Sequence, residues 1–336
     1  MLWTVFILPF CALCKSLIYQ VYIMIDPRKK ILIIGSSGQI GIELLSKLNK
    51  FNYSITALKS SQWHKRNTSN IKYVSLDITK DFKGLEKLVL DSDIIFHLAG
   101  NTAVSSKKEN EINYFNDWIS PLHNILNLIV SSEKILIFAS SVTVYGVSPK
   151  LPITELSKEE PLTSYDLAKS CCDNLIRFYR SHYNVNCSSL RFSNVYGPQT
   201  NSGNESRRAI NKILEIIHTT NEISIVSDGS YIRNYIHVTD AASMLMHVVE
   251  NISKVKPILL CCSNENISFK DIILCLVKNY ENQFNKKIKV NYHLNQKFIT
   301  DTRSFSAMPS EIFNNNFKFM YDINKGFDEL IKSIKV

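Results

Sequence analysis

Tyr165 and Lys169, in the stretch Tyr165-Asp166-Leu167-Ala168-Lys169, are four residues apart and share one face of any helix that carries them. A phenol with its ordinary pKa of about 10 is a poor base at neutral pH. A neighbouring ammonium stabilises the phenolate and moves it toward working range. Taken alone, Tyr-x-x-x-Lys also describes many solvent-facing helix pairs. It gains meaning from Ser140-Ser141-Val142-Thr143-Val144-Tyr145-Gly146, which follows a strand-like run and can deliver the Ser141 hydroxyl beside Tyr165. Together these residues point to a tuned phenolic base next to a hydroxyl.

A second chemical stretch is Gly35-Ser36-Ser37-Gly38-Gln39-Ile40-Gly41, behind the apolar run Ile31 to Ile34 and ahead of a helical pattern from Ile42 to Leu48. Strand, glycine turn and helix start in that order make a phosphate cradle. Gly35 permits the tight turn, and Gly38 removes the side chain that would hold a pyrophosphate off the backbone. Gly41 lets helix and strand pack closely, and the free N–H groups at the helix start, around Gln39 and Ile40, face the anion. In this context the stretch predicts a dinucleotide cofactor.

The elements that must position these groups alternate along the chain. Strand-like runs at Ile31-Ile34, Ser54-Leu58, Tyr73-Leu76, Ile94-Leu98, Ile135-Ala139 and Val185-Arg191 are separated by helical stretches, notably Tyr114-Val130 and Tyr165-Tyr183. That order predicts an α/β fold: a Rossmann-type, doubly wound parallel sheet over residues 30–200, with ligands outside the carboxyl ends of the strands. Over 201–336 the regularity loosens into helices at Arg208-His218, Thr239-Asn251 and Phe269-Tyr280 and short runs that include Pro257-Cys261. We read this part as a smaller mixed α/β substrate lobe whose chain crosses back to the first. Residues 1–29 form an apolar extension without a basic leader or a clear cleavage site, so a secretory signal is poorly supported. Residues 1–25 are long enough to be considered as a membrane anchor, but a strand-first fold favours Met24 as the natural start.

With 336 residues and 45% apolar composition the chain can bury a substantial core. Its net charge of +9 is spread along the sequence without a basic stripe, which argues against a nucleic-acid partner and is compatible with an anionic small substrate. Eight cysteines, at 11, 14, 171, 172, 187, 261, 262 and 275, form no paired CxxC motif. They read as thiols of a reducing, cytoplasmic compartment, and no metal site is expected.

Taken together, Gly35-x-x-Gly38-x-x-Gly41, Leu76-Asp77-Ile78, His97-Leu98-Ala99-Gly100, Asn116, Ser140-Ser141-x-x-Val144-Tyr145-Gly146, Tyr165-x-x-x-Lys169, Leu190-Arg191-x-x-Asn194-Val195-Tyr196-Gly197-Pro198 and Asp228-Gly229-Ser230-x-x-Arg233-Asn234-Tyr235-Ile236-His237-Val238 resemble the extended short-chain dehydrogenase/reductase family. The resemblance is to its nucleotide-sugar epimerase, dehydratase and reductase group. It implies that Tyr165 takes a proton from a sugar hydroxyl while hydride leaves the same carbon for a nicotinamide. Lys169 would lower that tyrosine's pKa and bond the nicotinamide ribose, and Ser141 would hydrogen-bond the reacting oxygen. Asp77 and Ile78 match adenine-contacting positions, Leu98, Ala99 and Gly100 positions lining the cofactor, and Asn116 a helix position near the active centre. Asn194 and Arg233 match positions that hold the nucleotide diphosphate of the substrate, a role suited to the forked, permanently charged guanidinium of arginine. The family also implies a homodimer.

Two departures refine the expectation. Dehydratases of this group carry Asp-Glu where this chain has Val142-Thr143, so elimination of water lacks its acid and base. Lys59 ends the second strand where NAD-specific relatives carry an acid for the ribose 2′-hydroxyl, and a cation there, with Lys65 and Arg66 as possible helpers, leans the NAD(P) cofactor toward NADP. The leading expectation is a nucleotide-sugar 4-epimerase working through a 4-keto species, in polysaccharide biosynthesis. The alternatives are an NADPH-dependent 4-ketosugar reductase and, in another class, a dinucleotide-binding protein without chemistry.

Overall fold

The computed structural model describes residues 25–51, 53–61, 67–100, 111–148, 150–198, 209–225, 229–292, 304–315 and 317–334. Met24, most of the apolar extension, Lys65 and Arg66 lie outside these residues. The first half of the chain runs β1 (Lys30–Ile34), α1 (Gln39–Asn49), β2 (Ser54–Lys59), β3 (Ile71–Ser75), α2 (Phe82–Leu90), β4 (Ile94–His97), α3 (Glu111–Ile129), β5 (Ile135–Ser141), α4 (Ser164–Tyr183) and β6 (Asn186–Phe192). The second half runs β7 (Asn194–Tyr196), α5 (Ala209–Thr220), β8 (Glu222–Ile225), β9 (Ile232–His237), α6 (Val238–Glu250), β10 (Ile258–Cys261), β11 (Asn266–Ser268), α7 (Phe269–Phe284), β12 (Lys289–Tyr292), α8 (Ile312–Asn315) and α9 (Ile323–Lys332).

The main sheet has seven strands in the order β10-β6-β5-β4-β1-β2-β3, and every pairing within it is parallel. Strand order reverses between β1 and β4, and the glycine turn follows β1 at this switch point, the place where sheets of this kind bind ligands. Alternate residues of the strands feed two cores. Ile31, Ile33, Ile137 and Ala139 pack with α1 and α6 on one face. Leu32, Ile34, Leu136 and Phe138 pack with α2, α3 and α4 on the other. Burial on both faces explains why these strands read as continuous apolar runs rather than as alternating ones.

Six strands of this sheet match the sequence expectation to within one or two residues at their ends. The seventh, β10, pairs with β6 (Leu259 opposite Leu190), so the run Pro257-Cys261 joins the main sheet rather than the smaller lobe. The amphipathic helix α6 likewise lies over α1 and the main sheet, where Met244, Leu245 and Val248 are fully buried. The rest of the second half builds a three-stranded sheet, β11-β9-β7, and a β12-β8 pair around a core of Ile217, Ile272, Leu276, Tyr280 and Phe327. No helix among the described residues is long and apolar enough to cross a membrane.

A buried ionic cluster ties α4 to the middle of the sheet. Arg191 of β6 is fully buried, its Nε 2.7 Å from Asp173 Oδ2, and it also pairs with Glu159. Asp173 further accepts hydrogen bonds from Ser140 at 3.1 Å and Ser189 at 2.5 Å. Burial works against the Glu159 carboxylate, but the Ser170 hydroxyl and the charge of Arg191 outweigh it and hold its pKa at about 2. Removing one member leaves an uncompensated buried charge. Arg191→Met is therefore expected to cost about 3–5 kcal/mol in urea unfolding, and adding Asp173→Leu to recover part of that loss. A single variant as stable as the parent would show that the cluster does not hold the sheet to α4.

Candidate active site

Helix α4 begins where the chemistry is. Thr163 caps it by accepting from the Asp166 N–H, and Asp166 returns a bond to the backbone of Thr163, a capping box lying within the stretch that supplies Tyr165. One turn further on, the Lys169 ammonium donates to the Ala139 carbonyl of β5 at 2.5 Å. This bond sets helix against strand. From Lys169 to Tyr165 is about 6 Å toward the start of the helix. From Ala139 to Ser141 is about 7 Å toward the end of a strand that runs the opposite way. Ser141 closes β5 at the carboxyl edge of the sheet, and Tyr165 lies in the first turn of α4, the helix that follows it. The Ser141 hydroxyl caps the short 3-10 turn Val142–Tyr145 and lies 2.9 Å from the Thr143 hydroxyl.

Lys169 is 2% exposed, and burial pulls its pKa down to about 7. Its ammonium faces three rings, with centroids at 3.2 Å for Trp118, 4.5 Å for Phe138 and 5.8 Å for Tyr165. Trp118 also meets Tyr165 edge-on at 6.2 Å. The sequence reading did not single out Trp118, which lies far from the Tyr-x-x-x-Lys stretch in sequence and reads as an ordinary apolar position of α3. His97, at the end of β4, is fully buried, and desolvation followed by the nearby Lys169 charge lowers its pKa to about 3.

At the switch point, Gly35 has φ +88°, and a Cβ there would stand 2.5 Å from the Ala99 nitrogen. A Cβ on Gly41 would collide with the Gly35 carbonyl. The Gly35 N–H donates to Leu58 O at 3.0 Å, and the Leu98 N–H to Ile34 O at 2.8 Å. The turns after β1, β2 and β4 are thus tied together, with Ala99 and Lys59 beside the glycines. Gly38 is the N-cap of α1 with no side-chain cap, and no acid lies in the first turn through Gln39, Ile40 and Gly41. These open N–H groups, behind a turn in which Gly35 and Gly38 carry no side chain, fit a dinucleotide diphosphate.

Asp77 accepts from the Thr79 hydroxyl at 2.7 Å and the Thr79 N–H at 3.0 Å, which keeps its pKa below the usual carboxylate range. It lines a cavity of about 500 Å³ with Thr79, Lys80, Phe82, Asn116, Asp117 and Ser120. Ile78 beside it is buried in the core. Asn116, exposed at this cavity, is grouped with Asp77, whereas the residue of α3 that meets Tyr165 and Lys169 is Trp118. No cluster of three or more metal-ligating side chains occurs among the described residues.

The two residues expected to hold a substrate diphosphate sit on neighbouring strands of the small sheet. Asn194 begins β7, opposite Tyr235 of β9, two residues past the Phe192 that pairs with Ser141. Arg233 of β9 is 7% exposed, and its guanidinium lies 4.6 Å from the Tyr231 ring centroid and 5.3 Å from that of Phe305. Arg303 lies outside the described residues.

The buried ammonium has a thermodynamic signature. Lys169 titrates near 7 in the folded chain and in the ordinary lysine range when unfolded, so between these values the unfolded state binds one proton more and stability rises with pH. Lys169→Met lacks this proton uptake. It is expected to melt above the parent at pH 6, with the gap closing toward pH 10. A gap that does not change with pH would show that Lys169 is not held in the lowered range.

Comparison with known proteins bears on the fold and the family. The profile of the NAD dependent epimerase/dehydratase family matches residues 31–261. A putative UDP-glucose 4-epimerase of Methanocaldococcus jannaschii is 28% identical over 218 residues, covering 63% of this chain and 70% of the relative. Among solved structures, UDP-N-acetylglucosamine 4-epimerase from Methanobrevibacter ruminantium M1, in complex with UDP-N-acetylmuramic acid, superposes with a TM-score of 0.78 at 21% identity, over 92% of this chain and 98% of that one. A variant of UDP-glucuronic acid 4-epimerase from Bacillus cereus, in complex with UDP-4-deoxy-4-fluoro-glucuronic acid and NAD, gives 0.76 at 20% identity, over 90% and 98%. With a profile match over more than half its length and the parallel, doubly wound sheet described above, the chain belongs to the NAD dependent epimerase/dehydratase family and is an enzyme of that extended short-chain dehydrogenase/reductase group.

Proposed function

We propose that the enzyme is a nucleotide-diphosphate-sugar 4-epimerase working through a 4-keto sugar. The observation that carries this reading is the bond from Lys169 to the Ala139 carbonyl, which ties the helix that carries Tyr165 to the strand that ends in Ser141. NAD(P), when bound, supplies a hydride acceptor that later gives the hydride back. Gly35, Gly38, Gln39, Ile40 and Gly41 would receive its diphosphate, Asp77, Ile78 and Asn116 the adenine half, and Leu98, Ala99, Gly100 and Lys169 the nicotinamide half. Tyr165 takes the proton from the 4-hydroxyl, Ser141 hydrogen-bonds the same oxygen, and Tyr165 returns the proton once the ketone has turned its other face. Asn194 and Arg233 would hold the substrate diphosphate, with Arg233 kept in orientation by Tyr231 and Phe305. Val142 is buried and the Thr143 hydroxyl is engaged with Ser141, which supports epimerisation over loss of water.

Lys59 favours a second reading. It ends β2 beside the glycine turn, where a cation suits a ribose 2′-phosphate, so the enzyme would prefer NADP and act as an NADPH-dependent 4-ketosugar reductase. The nucleotide that co-purifies separates the two: retained NAD with sugar interconversion and no added cofactor is expected for the epimerase, and an empty site with substrate-dependent loss of NADPH absorbance for the reductase. Lys59→Asp is expected to shift calorimetric affinity from NADPH toward NADH. Equal affinity shifts for both cofactors would remove Lys59 from the specificity argument.

In either reading Tyr165→Phe is expected to lower turnover by at least about 10²-fold while leaving cofactor affinity unchanged. Undiminished turnover in that variant would overturn the assignment. The six described cysteines are free thiols, which supports a cytoplasmic location. Leu167, Cys171 and Phe178 form one partly exposed stripe along α4, which supports a homodimer that light scattering would detect.

A further inference from the structure

We infer that Trp118 is a positioning residue for the Tyr165–Lys169 pair, its indole face keeping the buried Lys169 ammonium charged and in place one helical turn from the phenol. The inference rests on the reading of Tyr165 as the base. Trp118 is 1% exposed, and its ring centroid stands 3.2 Å from the Lys169 Nζ. It meets Phe138 edge-on at 6.1 Å and Tyr165 at 6.2 Å, and a Cβ on Gly100 would run into its ring. One side chain of α3 thus touches the lysine, the phenol, β5 and the turn expected to line the cofactor.

The groups around Lys169 show why a ring is needed there. On α4 its titratable neighbours are Tyr165, Cys172 and Asp173; burial pushes the Cys172 thiol far up, so it is neutral, and the carboxylate of Asp173 is engaged by Arg191, Ser140 and Ser189. From β4 comes His97, which is neutral through burial and the Lys169 charge. Phe138 on β5 and Trp118 on α3 bring only aromatic surface. The cation is therefore balanced by one carbonyl and by ring faces, and a desolvated ammonium over an indole is where this attraction is strongest. The Trp118 Nε1 is buried without a hydrogen-bond partner, a cost that phenylalanine or leucine would avoid. The wide, electron-rich face is what tryptophan gives in return.

The test reads Trp118 directly. In the full chain carrying Trp3→Phe and Trp63→Phe, Trp118 is the single tryptophan. Its emission is expected to show a pH transition well below the free-lysine range, near 7, that disappears in Lys169→Met. Flat emission from pH 5 to 10, or an unchanged transition in Lys169→Met, would overturn the inference. This readout needs no substrate, so it stands apart from any failure of the epimerase reading. In turnover assays the alkaline limb of the rate profile is expected to move to lower pH in Trp118→Leu, with Trp118→Phe in between. A uniform loss of rate with unmoved limbs in both variants would reduce Trp118 to a packing residue.

Discussion

The site depends on a cation buried between a strand and a helix. A lysine drawn out of water is costly unless its charge is met, and here it is met by the Ala139 carbonyl and by ring faces rather than by a carboxylate of its own. An acid paired tightly with Lys169 would lower the ammonium's effect on Tyr165. A carbonyl and aromatic rings hold the charge in place and leave its field directed at the phenol. The same bond also ties α4 to β5, so one contact holds the charge and links helix to strand.

Around that contact the fold places a second set of charges, paired with one another. Arg191, Asp173 and Glu159 bind β6, α4 and the segment ahead of α4 into one block, and Ser140, the neighbour of Ser141, donates into it. Because Asp173 lies one turn beyond Lys169 on the same helix, α4 is pinned to the sheet at two successive levels. A residue such as Tyr165, in the first turn of a helix that would otherwise fray, gains its position from those two anchors and from the Thr163 cap.

The two halves of the chain are interlocked rather than hinged on a single linker. Helix α6 covers α1, Thr239 reaches Glu43 at 3.0 Å, and β10 closes the edge of the main sheet beside β6. The Gln39 side chain, in the first turn after the glycines, donates to the Gly197 carbonyl just past β7 at 3.1 Å. Asp240, at the start of α6, accepts the N–H groups of Met320 and Tyr321 and brings the last part of the chain against it. The edge where cofactor and substrate would meet is thus braced from both halves.

Much of this was legible in the sequence because it is local. An apolar run, a glycine turn and a helix start are contiguous, so Gly35 to Gly41 read as a phosphate cradle without knowledge of any neighbour. Tyr165 and Lys169 share a helix face by periodicity alone. Tertiary structure alone decided which partners meet across the chain. Trp118 lies on Lys169, and Asn116 joins Asp77 at a cavity, because the rotation of α3 against α4 is set by packing that the periodicity of α3 does not encode. The run Pro257-Cys261 entered the main sheet because the open edge of β6 needed a parallel partner, and four apolar residues carry no mark of which sheet they complete. Arg191 looks like a charged residue in a strand and becomes a structural cation only once Asp173 and Glu159 close around it. Local pattern fixes the type of each element, whereas the pairing of distant side chains depends on strand order and helix rotation, which are settled only when the cores on the two faces of the sheet pack together.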